Sequence, residues 1–173
     1  MYKNTLKGGE LILNLLKLID YSNKFDGTNI KVVVFGIHDP DIFKKEVSFK
    51  FTNIEFDIYG YINSKRDLSL IYKKIDFFVH FSKIENLSTV ILESITAGCI
   101  PICFNVGGNK DILINEYNEF LINPFDVKSA FKKILTTQDN SVVKYNLSNF
   151  KGDFNDRATC LEHKKTYEEY LND

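Results

Sequence analysis

The sequence predicts an α/β domain: a doubly wound, Rossmann-like parallel sheet with helices on both faces. Apolar runs of strand length alternate with segments of helical period along the chain, the order expected of βα units on a parallel sheet. Two of those runs, Val32-Val33-Val34-Phe35 and Phe77-Phe78-Val79, are apolar at every position, as strands covered on both faces are. At 173 residues and 44% hydrophobic content, the chain has the size of one domain and can bury a core.

The elements follow in chain order. A helix is expected over residues 9 to about 23, then a strand over 30–35 that the turn Gly36-Ile37-His38 ends. Asp39-Pro40-Asp41 has the outline of an Asp-x-Asp metal motif. After a strand, and with proline between the acids, it reads as a turn and a helix cap. A helix over 41 to about 50, a strand over 54–59 and the glycine turn Gly60-Tyr61 come next, then a helix over 64–74. The strand over 77–81 leads through an acidic loop into a helix over 89–97, and the strand over 100–104 ends in Gly107-Gly108. Short elements over 109–114 and 120–122 precede a helix over 127–135. Residues 138–151 are polar and lack a clear period. From 154 to 173, charged residues interleave with Ala158, Leu161, Tyr167, Tyr170 and Leu171, the pattern of an amphipathic terminal helix. The expected division is therefore a domain over 1–153 and a terminal helix over 154–173.

Composition excludes several classes. The formal net charge is −1 with basic residues spread along the chain, so no nucleic-acid footprint stands out. No apolar run approaches the roughly 20 residues of a membrane-spanning helix, and the start lacks a signal-peptide pattern. A cytoplasmic chain is expected. Its cysteines number three, an odd count, and Cys99 and Cys103 flank or lie in an apolar strand, where a free thiol acts as a small hydrophobe. No histidine stands at a metal-ligand spacing from a cysteine, so neither structural zinc nor another metal is expected.

The segment 85–108 carries the chemistry. Val90, Ile91, Leu92, Ile95 and Ala97 place an apolar face at helical spacing, with the helix starting near Ser88 or Thr89. Glu85 then lies in the loop before the helix and Glu93 on it, about one and a half turns in. Unpaired backbone N–H groups at a helix start, with the hydroxyls of Ser88 and Thr89, make a ready site for phosphate oxygens. Flanking carboxylates would hold sugar hydroxyls.

This segment resembles the donor-sugar signature of retaining glycosyltransferases with the GT-B fold, the family-four or group 1 set. There, Glu-x7-Glu is followed by Ala-x-Gly-x-Pro-Val and a Gly-Gly pair; here the parts are Glu85 and Glu93, Ala97 to Ile102, and Gly107-Gly108. The resemblance implies one half of a GT-B fold that binds a nucleotide diphosphate sugar, with Glu85 toward the donor sugar and Glu93 toward the ribose. Lys7-Gly8-Gly9 is similar to the family's basic-Gly pair, so Lys7 is carried over as a diphosphate contact with a catalytic role beside Glu85. Lys3 stands nearest to the family's arginine. Asn86, Leu87, Ser88 and Thr89 are carried over as donor contacts, as are Gly60 and Tyr61 near the nucleobase and Gly107 and Gly108 near the sugar. Asn86 replaces the glycine most members have, and asparagine tolerates left-handed backbone angles better than most residues.

The resembled domain opens with a central strand, for which residues 1–6 leave almost no room. A sheet ordered 3-2-1-4-5-6 would lose its centre. Three readings stay open: the chain is cut from a longer protein, another polypeptide supplies the strand, or the first residues form a shorter substitute. The activity implied is transfer of a sugar to a glycan or lipid-linked acceptor, as in polysaccharide biosynthesis, with retained configuration and no cofactor or metal. An N-terminal domain or partner chain would supply the acceptor site, receiving the terminal helix, and any contact with the inner face of a membrane would come through missing parts. The rival readings are a non-catalytic or split-enzyme subunit and a GT-B-type nucleotide-sugar epimerase.

Overall fold

The structure is a computed structural model that describes residues 6–25, 27–113 and 115–137. Lys3, the stretch 138–153 and the expected terminal helix over 154–173 lie outside the described residues. The elements are α1 (Gly9–Asp20), β1 (Ile30–Val34), α2 (Pro40–Ser48), β2 (Ile54–Ile58), α3 (Lys65–Tyr72), β3 (Phe77–His80), α4 (Thr89–Thr96), β4 (Ile100–Phe104), α5 (Asn109–Ile112), β5 (Leu121–Ile122) and α6 (Val127–Thr137). Short 3-10 turns at Asn23–Phe25 and Asn115–Phe120 complete the order. Each strand starts within one residue of its sequence expectation. The local reasons are visible: Asp39 Oδ1 accepts from Ile42 N at 3.1 Å and Pro40 takes the first turn of α2, so the acidic turn is a helix cap. Ser64 caps α3 in the same way through Asp67 N.

All strand pairings are parallel, and helices lie on both faces, as expected of a Rossmann-like half domain. The sheet differs from a continuous one. Among the described residues β1 pairs only with β2, in register from Ile30 with Ile54 to Val34 with Ile58, and β3-β4-β5 form a separate sheet. The order fits a doubly wound sheet interrupted between β1 and β3. Packing spans the break: the Tyr72 ring makes edge contacts with Phe35 and with Phe78, both at 5.6 Å between centroids.

The core centres on β4, whose five residues are all buried. It touches α4 and α6, and α1 packs on α6. Phe104 stacks on Phe81 with centroids 4.3 Å apart and planes within 3°. Cys99 and Cys103 are buried free thiols, and burial pushes the Cys103 thiol up, out of reach of thiolate chemistry at neutral pH. A buried carboxylate that sequence reasoning did not single out, Asp20, ends α1 by accepting from the backbone N–H groups of Thr52 and Asn53 at 3.1 and 2.8 Å. It ties the first helix to the entry of β2.

Candidate functional site

Three backbone approaches shape the loop between β3 and α4. The chain enters α1 through Gly8, at φ 69°, where a Cβ would stand 2.0 Å from the Phe81 carbonyl oxygen. From the other side, the turn after β4 presses on the loop. A Cβ on Gly107, at φ 52°, would stand 1.7 Å from the Glu85 carbonyl oxygen, and one on Gly108 would stand 2.3 Å from that of Asn86. Only residues without a side chain fit there. Gly108 N also donates to Asn86 O at 2.6 Å, and Lys83 N donates to Leu6 O at 2.8 Å. The loop is thereby held by backbone from α1 and from the diglycine turn. Lys83 Nζ adds an ion pair to Glu10 of α1 at 2.5 Å.

Four side chains converge within this frame. Lys7 Nζ meets Glu85 Oε1 at 2.6 Å, and His80 Nε2, at the end of β3, meets the same oxygen at 3.1 Å. His80 Nε2 also lies 3.3 Å from Ser88 Oγ. Burial works against the Glu85 carboxylate, yet hydrogen bonds from Lys7 and Ser82 and the charges of Lys7 and His80 hold its pKa below the usual carboxylate value. Burial pushes the His80 imidazole down, against the opposing pull of Glu85, so the ring is neutral at pH 7. An ionised carboxylate only accepts hydrogen bonds, which places the imidazole proton on Nε2.

The start of α4 is open in a particular sense. Ser88 occupies the N-cap, yet its side chain makes no capping bond; it is buried and turned to His80. Thr89 alone of the two hydroxyl residues is exposed. Without a capping bond from Ser88, and with Ile91 N turned back on Ser88 O at 3.1 Å, the first amides of α4 at the positive end of the helix dipole lack the usual N-cap side-chain acceptor.

The expected site residues fall into two groups. Lys7, Glu85, Asn86, Leu87, Ser88, Thr89, Gly107 and Gly108 come together around the loop. Glu93 is exposed on the second turn of α4, and among the described residues it joins none of these hydrogen bonds. Gly60 and Tyr61 follow β2 on the other sheet, where Gly60 O accepts from Gly36 N at 3.0 Å and Tyr61 is largely exposed. The diglycine touches the acidic loop itself. His80 was missed; the only sequence signal for it was its place at the end of a strand two residues ahead of the loop. Among the described residues no three His, Cys, Asp or Glu side chains gather as metal ligands would.

Comparison with known proteins bears on this geometry. The family model for glycosyl transferases group 1 matches residues 4–148. Among solved structures, the catalytic domain of cholesterol-alpha-glucosyltransferase from Helicobacter pylori is similar at 21% identity and TM-score 0.65, over 86% of this chain and 87% of that one. The C-terminal domain of a glycosyl transferase group 1 family protein from Francisella tularensis aligns at 22% identity and TM-score 0.61, over 84% and 75%. The pneumococcal O-GlcNAc transferase, solved with UDP and GlcNAc, aligns at 19% identity and TM-score 0.67 over 98% of this chain, which spans 34% of its length. A search of curated proteins returned no match. At these identities the solved structures establish the shared GT-B half-domain fold, and the family match covers most of the sequence. The chain therefore belongs to the glycosyl transferases group 1 family and is a transferase domain.

Proposed function

We propose that this domain is the donor-binding half of a retaining glycosyltransferase, receiving a nucleotide diphosphate sugar at the start of α4. The observation that carries the reading is the meeting of Lys7 and Glu85 beside a helix start that no side chain caps. The diphosphate rests on the first amides of α4 and draws Lys7 to it, since both favour negative charge. The Glu85 carboxylate, released from Lys7, then accepts from hydroxyls of the donor sugar, and Glu93 reaches the ribose. As the glycosidic bond to the diphosphate breaks, charge grows on the leaving phosphate. Lys7 and the amides stabilise it where they already stand, which lowers the barrier. No resident metal takes part in this reading.

The pneumococcal relative, solved with UDP and GlcNAc, supports a sugar nucleotide as the ligand class. The acceptor, a glycan or lipid-linked sugar, is bound by an N-terminal domain or partner chain. The buried free thiols fit a reducing, cytoplasmic setting. Among the described residues no helix is long and apolar enough to cross a membrane.

Calorimetric titration of UDP, GDP and ADP tests the reading. One base is expected to bind, and Glu93→Ala should weaken it by roughly tenfold, the loss of a charged hydrogen bond to ribose. Heat from none of the three, or affinity indifferent to Glu93→Ala, contradicts it.

A further inference from the structure

We propose that His80 is a positioning residue for the acidic loop: its Nε2–H holds the Glu85 carboxylate in place when Lys7 leaves that carboxylate for the donor's diphosphate. The inference rests on the donor-binding reading above and concerns a residue to which that reading gives no role.

The two partners of Glu85 Oε1 are unequal. Lys7 sits just ahead of α1 with a side chain 59% exposed at the end of a long flexible stem. His80 is 13% exposed and rooted in β3, in register with Cys103 of β4. Its ring lies stacked against Phe78, 12° from parallel. A lysine near an anion moves to it at little cost; a strand-borne imidazole packed on a neighbour does not. Once Lys7 has moved, His80 Nε2–H stays on that oxygen, with Ser82 the other hydrogen-bonding neighbour of the carboxylate. The same nitrogen reaches Ser88 Oγ, so one ring fixes both the acid and the residue that opens α4. It thereby sets the spacing between the sugar-facing carboxylate and the phosphate-facing amides, which have to act on one ligand together.

Without that donor, Glu85 would follow Lys7 or turn to solvent. The diphosphate contacts, made by Lys7 and backbone amides, would persist. The loss therefore falls on the sugar. Glutamine carries an amide nitrogen at nearly the position of Nε2 and restores the donor; leucine fills the space without it.

The test uses the whole chain and paired probes: UDP against UDP-N-acetylglucosamine, GDP against GDP-mannose, and ADP against ADP-glucose. For the pair that binds, His80→Leu should leave diphosphate affinity within about twofold and remove roughly tenfold of the affinity the sugar adds, as Glu85→Gln does. His80→Gln should recover most of it. Loss of both affinities together, or of neither, overturns the proposal. A second measurement needs no ligand: long-range proton–nitrogen correlation should find His80 as the Nε2–H tautomer in the wild type, with its signal displaced in Glu85→Gln. An Nδ1–H tautomer, or a signal indifferent to Glu85, overturns the positioning role. Absence of binding by every probe defeats the donor reading instead, and the tautomer still decides whether His80 holds Glu85.

Discussion

The two sheets of this domain are built to different standards. Every residue of β4 is buried, while of the ten in β1 and β2 only Ile54 is. The cause is neighbours: β4 has a strand on each side and packs on α4 and α6, whereas among the described residues β1 and β2 pair only with each other, with α2 against β2. The same contrast holds at the loops the strands feed. After β4, glycine backbone presses on the Glu85 loop so closely that no side chain fits; after β2, a Cβ on Gly60 would meet nothing nearer than 3.7 Å. On the proposed donor-binding reading, phosphate and sugar chemistry falls to the half whose backbone is fixed, and base contact to the half with room to adjust. A site that stabilises developing charge needs its donors in place beforehand; recognition of a flat base tolerates more give.

Mutations sharpen this difference, beginning with the core. Phe104→Ala removes a fully buried ring stacked on Phe81 and should cost about 3–5 kcal/mol in denaturant unfolding. Val33→Ala on half-buried β1 should cost roughly 1 kcal/mol. Equal costs would break the comparison. Next come the glycines. Gly107→Ala, strained in backbone and driven into the Glu85 carbonyl, should lose about 3 kcal/mol and shift the amide signals of the acidic loop. Gly60→Ala should stay within about 1 kcal/mol.

The contrast itself was not legible beforehand: the apolar runs at 32–35 and 77–79 read as strands covered on both faces, yet no residue of β1 or β3 is fully buried, and it is β4 that is. What the sequence did mark was the strand at 100–104 and the cap at Asp39-Pro40. These are local signals, carried by residues next to one another. What escaped is tertiary. Ser88 reads as a free hydroxyl at a helix start, yet it faces His80 because β3 ends beneath it. The diglycine reads as a contact near the sugar, and the signal gives no hint that its glycines also admit the Glu85 and Asn86 carbonyls. Phe125, which no local signal singles out, sits at φ 68°, a left-handed angle with no glycine to advertise it. Asp20 falls inside the helix expected over 9 to about 23, and its partners lie across the fold at Thr52 and Asn53.

Smaller effects follow from charge. His80 and Glu85 both have lowered pKa values in the folded chain, so the unfolded chain binds more protons and stability rises with rising pH and is lost on acidification. The His80 contribution is complete above its ordinary value of 6.5 and is lost as pH falls below that toward its folded value. The Glu85 contribution behaves likewise below 4.5. Unfolding midpoints measured across this range should show both steps, and His80→Gln should erase the upper one while leaving the lower. On the softer sheet, Lys31 bridges Glu55 at 3.3 Å and Asp57 at 2.9 Å in full view of solvent. Lys31→Ala should leave the midpoint unmoved; a clear loss would show that the β1–β2 pair depends on its surface charges.

Amide chemical-shift mapping during titration with UDP-, GDP- and ADP-sugars addresses the central claim most directly. One donor should perturb Lys7 to Gly9, Glu85 to Val90 and Gly107 to Gly108 strongly, with weaker changes at Gly60 and Tyr61. Perturbations centred instead on the exposed groove of α2, at Asp41, Lys44, Lys45 and Phe49, or none with any donor, would contradict it.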